Sequence, residues 1–343
     1  MMNIKTLAVA VWVVTVAVAP RDLLAQRLLT ADDPAVAEAR QAFVQRMVDE
    51  HGFAAAGLAE ILDSAEFSDT VLERISSPAE RVIPWYEYRQ IFMTDTRISA
   101  GAEFWRAHES LVRSVAAEFA VAPEIIVAIL GVETLFGERM GSYRVLDSLT
   151  TLAFGYPPRA RFFSSELEQF LLTARAEGEA HLDAVGSYAG AMGAGQFISS
   201  SYEAYAVDGD GDGRRDLWSS WPDIVSSVAN YFARHDWRAG ESVALSAVAP
   251  NPQMDELPQG LELDTSIAQL QSRGFQFDTE LSEDTPAMLV GLRSGPDTVE
   301  YWVGLHNFRV ITRYNRSVKY ALAVTQLSEA IAAAYETSQG DEQ

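Results

Sequence analysis

Apolar residues recur at three- and four-residue spacing along most of the chain, which is the period of one face of an α-helix. From Pro34 to about Ala120 the pattern runs through Phe43 and Met47 and then Leu58, Ile61 and Leu62, with Gly52 punctuating the first pair. Thr96 to Ala120 carries Phe104, Trp105, Leu111, Val112, Val115 and Phe119, which predicts one long amphipathic helix with these side chains in the core. Pro123 to Phe136 opens on a proline suited to a first helical turn, runs through Ile125, Ile126, Val127, Ile129, Leu130 and Val132, and stops near Gly137. That is the pattern of a buried helix. Further helices are predicted at Pro158 to Glu177, Pro222 to His235 and Ser317 to Glu336.

The texture changes between Ser242 and about Leu305, where Pro250, Pro252, Pro258, Gly260 and Gly274 punctuate short runs such as Phe275-Gln276-Phe277 and Met288-Leu289-Val290-Gly291-Leu292. The expected architecture is therefore mainly α, with a helical region and core over 27–241, a small strand-containing subdomain over 242–305, and a return to the helical core over 306–343. No solenoid-length repeat is evident, and no appended module is expected, since only Thr337 to Gln343 follow the last helix.

Composition narrows the classes. A chain of 343 residues that is 48% hydrophobic and 10% aromatic has ample material for a core. Its formal charge of −22 repels nucleic-acid phosphates and anionic lipid heads, so neither is expected as a partner. Residues 1–26 read as a signal peptide, with Lys5 before the apolar stretch Thr6 to Ala19, which is short for a membrane span. The region around Leu23, Leu24 and Ala25 departs from the small-residue cleavage rule, which leaves a retained N-terminal anchor as the alternative. The chain has no cysteine, and hence no disulfide, no thiol nucleophile, no zinc-thiolate site and no acceptor for a lipoprotein anchor.

Two stretches carry candidate chemistry. Glu133 is the lone acid inside Ile129-Leu130-Gly131-Val132-Glu133-Thr134-Leu135-Phe136-Gly137, where desolvation disfavours the charged form and favours a general acid. The plainer alternative is a glutamate whose head reaches solvent or an arginine at the helix end. Asp208-Gly209-Asp210-Gly211-Asp212-Gly213-Arg214 places carboxylates at every second position and glycine at the sixth, as in the first half of an EF-hand calcium loop. The twelfth position is Ser219 and offers no bidentate glutamate, so a longer loop must close the site. The alternative here is a solvated acidic turn without metal.

Several separated motifs coincide with one family. Gly131-Val132-Glu133-Thr134 with Gly137, then Gly190-Ala191-Met192-Gly193 with Gln196-Phe197, resemble the catalytic domain of the membrane-bound lytic murein transglycosylases of the B type, in a soluble, non-lipidated form. Asp216-Leu217-Trp218, Ser226 to Phe232, Ile311-Thr312-Arg313-Tyr314-Asn315 and Leu149 to Pro157 agree, in the family's order and spacing over roughly residues 35 to 337. Ile198-Ser199-Ser200 departs from it, standing where a methionine and a proline are usual.

The resemblance implies a lysozyme-like helical fold, and the signal-like N-terminus with the absence of cysteine makes a soluble periplasmic form the expectation. The residue at Glu133 would protonate the glycosidic oxygen between N-acetylmuramic acid and N-acetylglucosamine, then take the proton of the C6 hydroxyl as it closes a 1,6-anhydro ring without water. One carboxylate suffices because the sugar's N-acetyl group stabilises the positive centre, where ordinary glycoside hydrolases use two. The same resemblance gives Ser187, Gln196, Tyr231, Tyr314, Asn315 and Tyr320 to the glycan cleft. It gives Asp208, Asp210, Asp212, the Arg214 carbonyl and Asp223 to a structural calcium ion, over a loop spanning 208–223. The expected partners are peptidoglycan glycan strands and unidentified wall-remodelling proteins, and the expected state is a monomer. A hydrolytic muramidase, a catalytically silent glycan-binding envelope protein and a generic calcium-binding secreted protein are the competing readings.

Overall fold

The computed structural model describes residues 28–76, 83–250 and 257–340; the expected signal segment 1–26 lies outside them. In chain order the helices are α1 (Pro34–His51), α2 (Ala55–Asp63), α3 (Asp69–Ser76), α4 (Trp85–Phe92), α5 (Asp95–Ala107), α6 (Glu109–Phe119) and α7 (Pro123–Thr134). They continue with α8 (Val145–Gly155), α9 (Ala160–Glu177), α10 (Ser199–Tyr205), α11 (Trp221–Arg234), α12 (Ile267–Ser272), α13 (His306–Tyr314) and α14 (Val318–Gly340). The strands are β1 (Tyr143–Arg144), β2 (Val185–Gly186), β3 (Ala244–Ala247), β4 (Thr265–Ser266), β5 (Pro286–Arg293) and β6 (Val299–Gly304). The described residues form two compact units, one of 28–76 with 139–224, the other of 83–138 with 225–340, a division that runs through the expected 27–241 stretch.

In the first unit, α8 is the central element, with every residue but Asp147 buried, and it packs on α9, α1 and α3. The apolar face of α9 contains one acid: Glu166 is 4% exposed and accepts from the backbone N–H of Ser200 at 3.0 Å and from its hydroxyl at 2.8 Å. This carboxylate caps the start of α10 and pays with desolvation, which pushes its pKa up despite the bonds from Ser200. Beyond α9 a short 3-10 segment, Glu179–Asp183, places the buried His181 ring 5.1 Å from Phe170, 5.3 Å from Tyr202 and 5.8 Å from Trp218.

In the second unit, α7 is buried from Ile125 through Thr134 because α5, α6 and α14 all pack on it. The helix expected over Thr96 to Ala120 is two helices, broken at His108, where φ is −117° and ψ is 25°. The break is favoured because the two apolar stripes serve different neighbours. Trp105 of α5 stacks on Tyr335 of α14 at 4.4 Å and Phe104 on Phe136 at 5.4 Å, whereas Val112 and Val115 of α6 are buried on the side of α7. Leu111 and Phe119, expected in the core, are half-buried. The strand-containing segment forms a four-stranded antiparallel sheet in the order β3-β6-β5-β4, with Leu289 opposite Val303 and Val290 opposite Trp302. Its inner face, with Ile267 and Leu270 of α12, closes a separate small core around Phe275, Leu289, Tyr301 and Val303. Of the two runs expected as strands, 288–292 lies inside β5, whereas Phe275-Gln276-Phe277 contributes a single bridge from Gln276 to Val248.

Burial pushes the His181 imidazole down to about 4 from 6.5, with Glu177 pulling it up and Arg215 down. A histidine held neutral by the fold keeps its stabilisation above pH 6.5 and loses it as the pH falls from 6.5 towards 4, because the unfolded chain takes up a proton that the folded chain refuses. The loss is on the order of 3 kcal/mol. Urea melts of the wild type and of His181→Gln at pH 7, 6, 5 and 4.5 should show the difference in unfolding free energy moving in the variant's favour as the pH drops.

Candidate active site

Glu133 sits one residue before the end of α7, 3% exposed, and the segment around it explains its own sequence. Gly131 is there for space: a Cβ would lie 2.8 Å from the Phe136 ring, which stacks on Phe104. The chain then leaves the helix through two non-glycine residues in the left-handed region, Leu135 at φ 52° and Phe136 at φ 57°, before Gly137 at 88°. Such residues cost on the order of 1 kcal/mol or more each, and packing must hold them. The N–H groups of Leu135 and Phe136 both bond the Leu130 carbonyl, and Gly137 N–H donates to the Thr134 hydroxyl at 3.0 Å. Glu133 is thereby fixed at the mouth of a closed, strained helix end.

The Tyr320 hydroxyl, from α14, donates to Glu133 Oε1 at 2.5 Å. Burial raises the pKa of this phenol well above its ordinary value, and the negative charge of Glu133 raises it further. The same two causes act in the same order on Tyr314. Both phenols therefore stay protonated at neutral pH, and Tyr320 is a permanent donor to the carboxylate. Tyr314, fully buried at the end of α13, lies 4.6 Å from the ring of Tyr231, stacks on Phe232 at 5.7 Å, and Tyr231 donates its hydroxyl to the Arg313 carbonyl at 2.6 Å. Asn315 follows in extended conformation, its carbonyl accepting from Ser317 N–H at 2.7 Å. Glu133, Tyr231, Tyr314, Asn315 and Tyr320 are thus brought together within one unit. The three tyrosines are 4%, 0% and 1% exposed, so their rings are part of the core packing.

Ser187 and Gln196 belong to the other unit and are organised by backbone. The Ser187 oxygen accepts from Ala191 N–H at 3.0 Å and Ala189 N–H at 3.3 Å, folding the 187–191 loop onto itself. Gln196 is fully buried in the left-handed region, and its Nε2 donates to the carbonyls of Met140 at 3.1 Å and Gly193 at 3.0 Å. Its buried Oε1 has no hydrogen-bond partner. Sequence reading missed Met140, which acts through a backbone carbonyl and leaves no trace in residue type. It also missed Glu166, whose signal was present: an acid in the apolar stripe of Phe163, Leu167 and Phe170.

The acidic loop also lies in the first unit. Oxygens of Asp208, Asp210 and Asp212 fall within 4.8 Å of one another, a hard all-oxygen set of the kind calcium takes. Asp208 Oδ1 accepts from Gly211 N–H at 2.8 Å and its Oδ2 from Gly213 N–H at 2.9 Å, and Gly213 makes the turn at φ 91°. Asp223 stands outside the trio, 1% exposed, taking Gly209 N–H and Asp216 N–H on its two oxygens, each at 2.7 Å. Each oxygen keeps a second lone pair. Asp216 caps the next turn through Trp218 N–H at 2.8 Å and Ser219 N–H at 2.9 Å.

Comparison with known proteins meets this geometry. The transglycosylase SLT domain family matches residues 35–329. The chain is 45% identical over 303 residues to the membrane-bound lytic murein transglycosylase B of Escherichia coli (strain K12), which covers 86% of this chain and 82% of that protein. Among solved structures, a catenated form of the lytic transglycosylase SltB1 from Pseudomonas aeruginosa superposes with a TM-score of 0.82 at 46% identity, covering 88% of this chain and 98% of that one. The Escherichia coli lytic transglycosylase Slt35 in complex with calcium gives 0.78 at 43% identity, covering 89% and 95%. The helical architecture is lysozyme-like, as the motifs around Glu133 imply. A match that spans both units and includes the helix end at Glu133 settles the relationship: the chain belongs to the transglycosylase SLT domain family.

Proposed function

We propose that Glu133 is the single acid and base with which this lytic transglycosylase opens the glycan strand of peptidoglycan. The observation that carries the reading is the carboxylate buried at the end of α7 with a permanent phenol donor, Tyr320, 2.5 Å from its Oε1. In the protonated state the acid gives its proton to the oxygen joining N-acetylmuramic acid to N-acetylglucosamine, and the C1–O bond breaks. The carboxylate so formed, steadied by Tyr320, takes the proton of the muramic C6 hydroxyl, whose oxygen bonds C1 and closes the 1,6-anhydro ring. The proton lost in the first step is regained in the second, and no water is consumed. Tyr231, Tyr314 and Asn315, in the same unit as Glu133, steady the strand, and Ser187 and Gln196 shape the loops of their own unit, a role that the unpartnered Oε1 of Gln196 supports.

Asp208, Asp210 and Asp212 hold calcium, with the Arg214 carbonyl and Asp223 completing the set, and the ion braces the loop without a chemical step. The clustered oxygens support this, as does the calcium complex of the Slt35 relative. The enzyme acts in the periplasm, consistent with the apolar N-terminal segment and its envelope relative.

Mass spectrometry of fragments released from purified peptidoglycan should show ends in 1,6-anhydro-muramic acid for the wild type and none for Glu133→Gln; reducing ends would instead identify a hydrolytic muramidase. Tyr320→Phe should lower kcat by about 10- to 100-fold with KM little changed, since the lost hydrogen bond matters at the step where charge develops. Chelation with EDTA should lower Tm by roughly 5–10 °C, and calcium should restore it. Asp210→Asn should lower Tm without added chelator, whereas an unresponsive Tm in the wild type would reject the metal assignment.

A further inference from the structure

The first unit contains a pocket of about 340 Å³ that the proposed reaction does not use, bounded by the end of α9, the 3-10 segment 179–183, β2, Tyr202 of α10 and residues 214–218. We propose that it is a second saccharide site, taking one N-acetylhexosamine ring of a glycan strand away from the bond being cut. The proposal rests on the reading that the chain acts on peptidoglycan glycan, and it adds a site to that reading.

Four observations support it. The volume matches the small end of ligand sites, about 300 Å³. Its wall is aromatic: the half-buried indole of Trp218 and the ring of Tyr202 lie 5.8 Å and 5.3 Å from His181, and Trp218 Nε1–H is already engaged on the Val185 carbonyl at 2.9 Å, which leaves the ring face as its contribution. Beside it stands Val185, 43% exposed, one of two large apolar side chains in that state among the described residues. Buried His181 Nε2 has no hydrogen-bond partner, and such an atom costs about 1–3 kcal/mol until something bonds it.

The charges at the pocket, Arg214 apart, are committed elsewhere. Arg215 pairs with Glu177 at 2.6 Å and Glu203 at 3.5 Å, Asp183 faces Arg144 at 3.6 Å, and Asp216 accepts from Trp218 and Ser219, while Arg214 stands exposed at the rim. A site with an apolar ring face, one neutral ring nitrogen and matched ions fits an uncharged, hydroxyl- and amide-bearing ring. The C–H face of a pyranose covers the indole, with its hydroxyl and N-acetyl groups at the polar rim beside His181.

The test is a titration of ¹⁵N-labelled Glu133→Gln protein with tri-N-acetylchitotriose, following the indole N–H resonance of Trp218, assigned with Trp218→Phe. The expected result is a saturable shift that Val185→Arg, a change at an exposed position, abolishes. In the otherwise wild-type enzyme, Val185→Arg should leave turnover of soluble glycan fragments unchanged and slow release from intact sacculi by about three- to tenfold, the worth of one stacked ring. A Trp218 resonance that is silent to the sugar, or one that moves only with a free stem peptide, overturns the saccharide site. A Val185→Arg enzyme equally fast on sacculi overturns its role on the strand. Failure of the Glu133 assignment would show separately, as anhydro products persisting in Glu133→Gln.

Discussion

The hydrogen bond between Tyr320 and Glu133 is the constraint around which the second unit is built. A carboxylate 3% exposed at the end of an apolar helix is expensive, and the expense falls only when a fixed donor meets it. Placing that donor requires α14 to lie along α7, which in turn requires small residues such as Gly131 and Gly101 where Phe136 and Ile331 press in. The left-handed exit through Leu135 and Phe136 follows, since the Phe136 ring must turn back onto Phe104 to close the helix end. Burial, strain and close packing here are one solution to one electrostatic demand.

The first unit solves a different problem, that of holding irregular backbone still. Its loops at 187–197 and 208–219 carry few regular ladders, so side chains satisfy the main chain: Ser187 and Gln196 in one loop, Asp208, Asp216 and Asp223 in the other. Glu166 extends the same device to the start of α10. Acidic and amide side chains are spent on N–H and C=O groups that secondary structure would otherwise pair.

Much of this is legible in the sequence, for physical reasons. α7, α9, α11 and α14 are visible because burial against several neighbours demands a long apolar pattern, and their ends match the structure to within a few residues. Glu133 is visible because a lone acid in such a pattern is costly. The break at His108 is not, because α5 and α6 share a continuous helical period and only tertiary neighbours, Tyr335 for one and α7 for the other, separate them. The burial of Tyr231, Tyr314 and Tyr320 is equally hidden: a tyrosine at helical spacing reads the same whether its ring faces a ligand or a phenylalanine. Asp223 shows the same limit, since no spacing rule reveals that its carboxylate closes the loop through the backbone of Gly209 and Asp216.

The partner of Glu133 lies 187 positions further along the chain. Synthesis proceeds from the N-terminus, so the carboxylate emerges long before the phenol that steadies it, with the whole sheet-bearing segment still to follow. A chain still being made holds the acid without its donor. The order of residues thus makes the bond at Glu133 one that can form only once the last helix has been made.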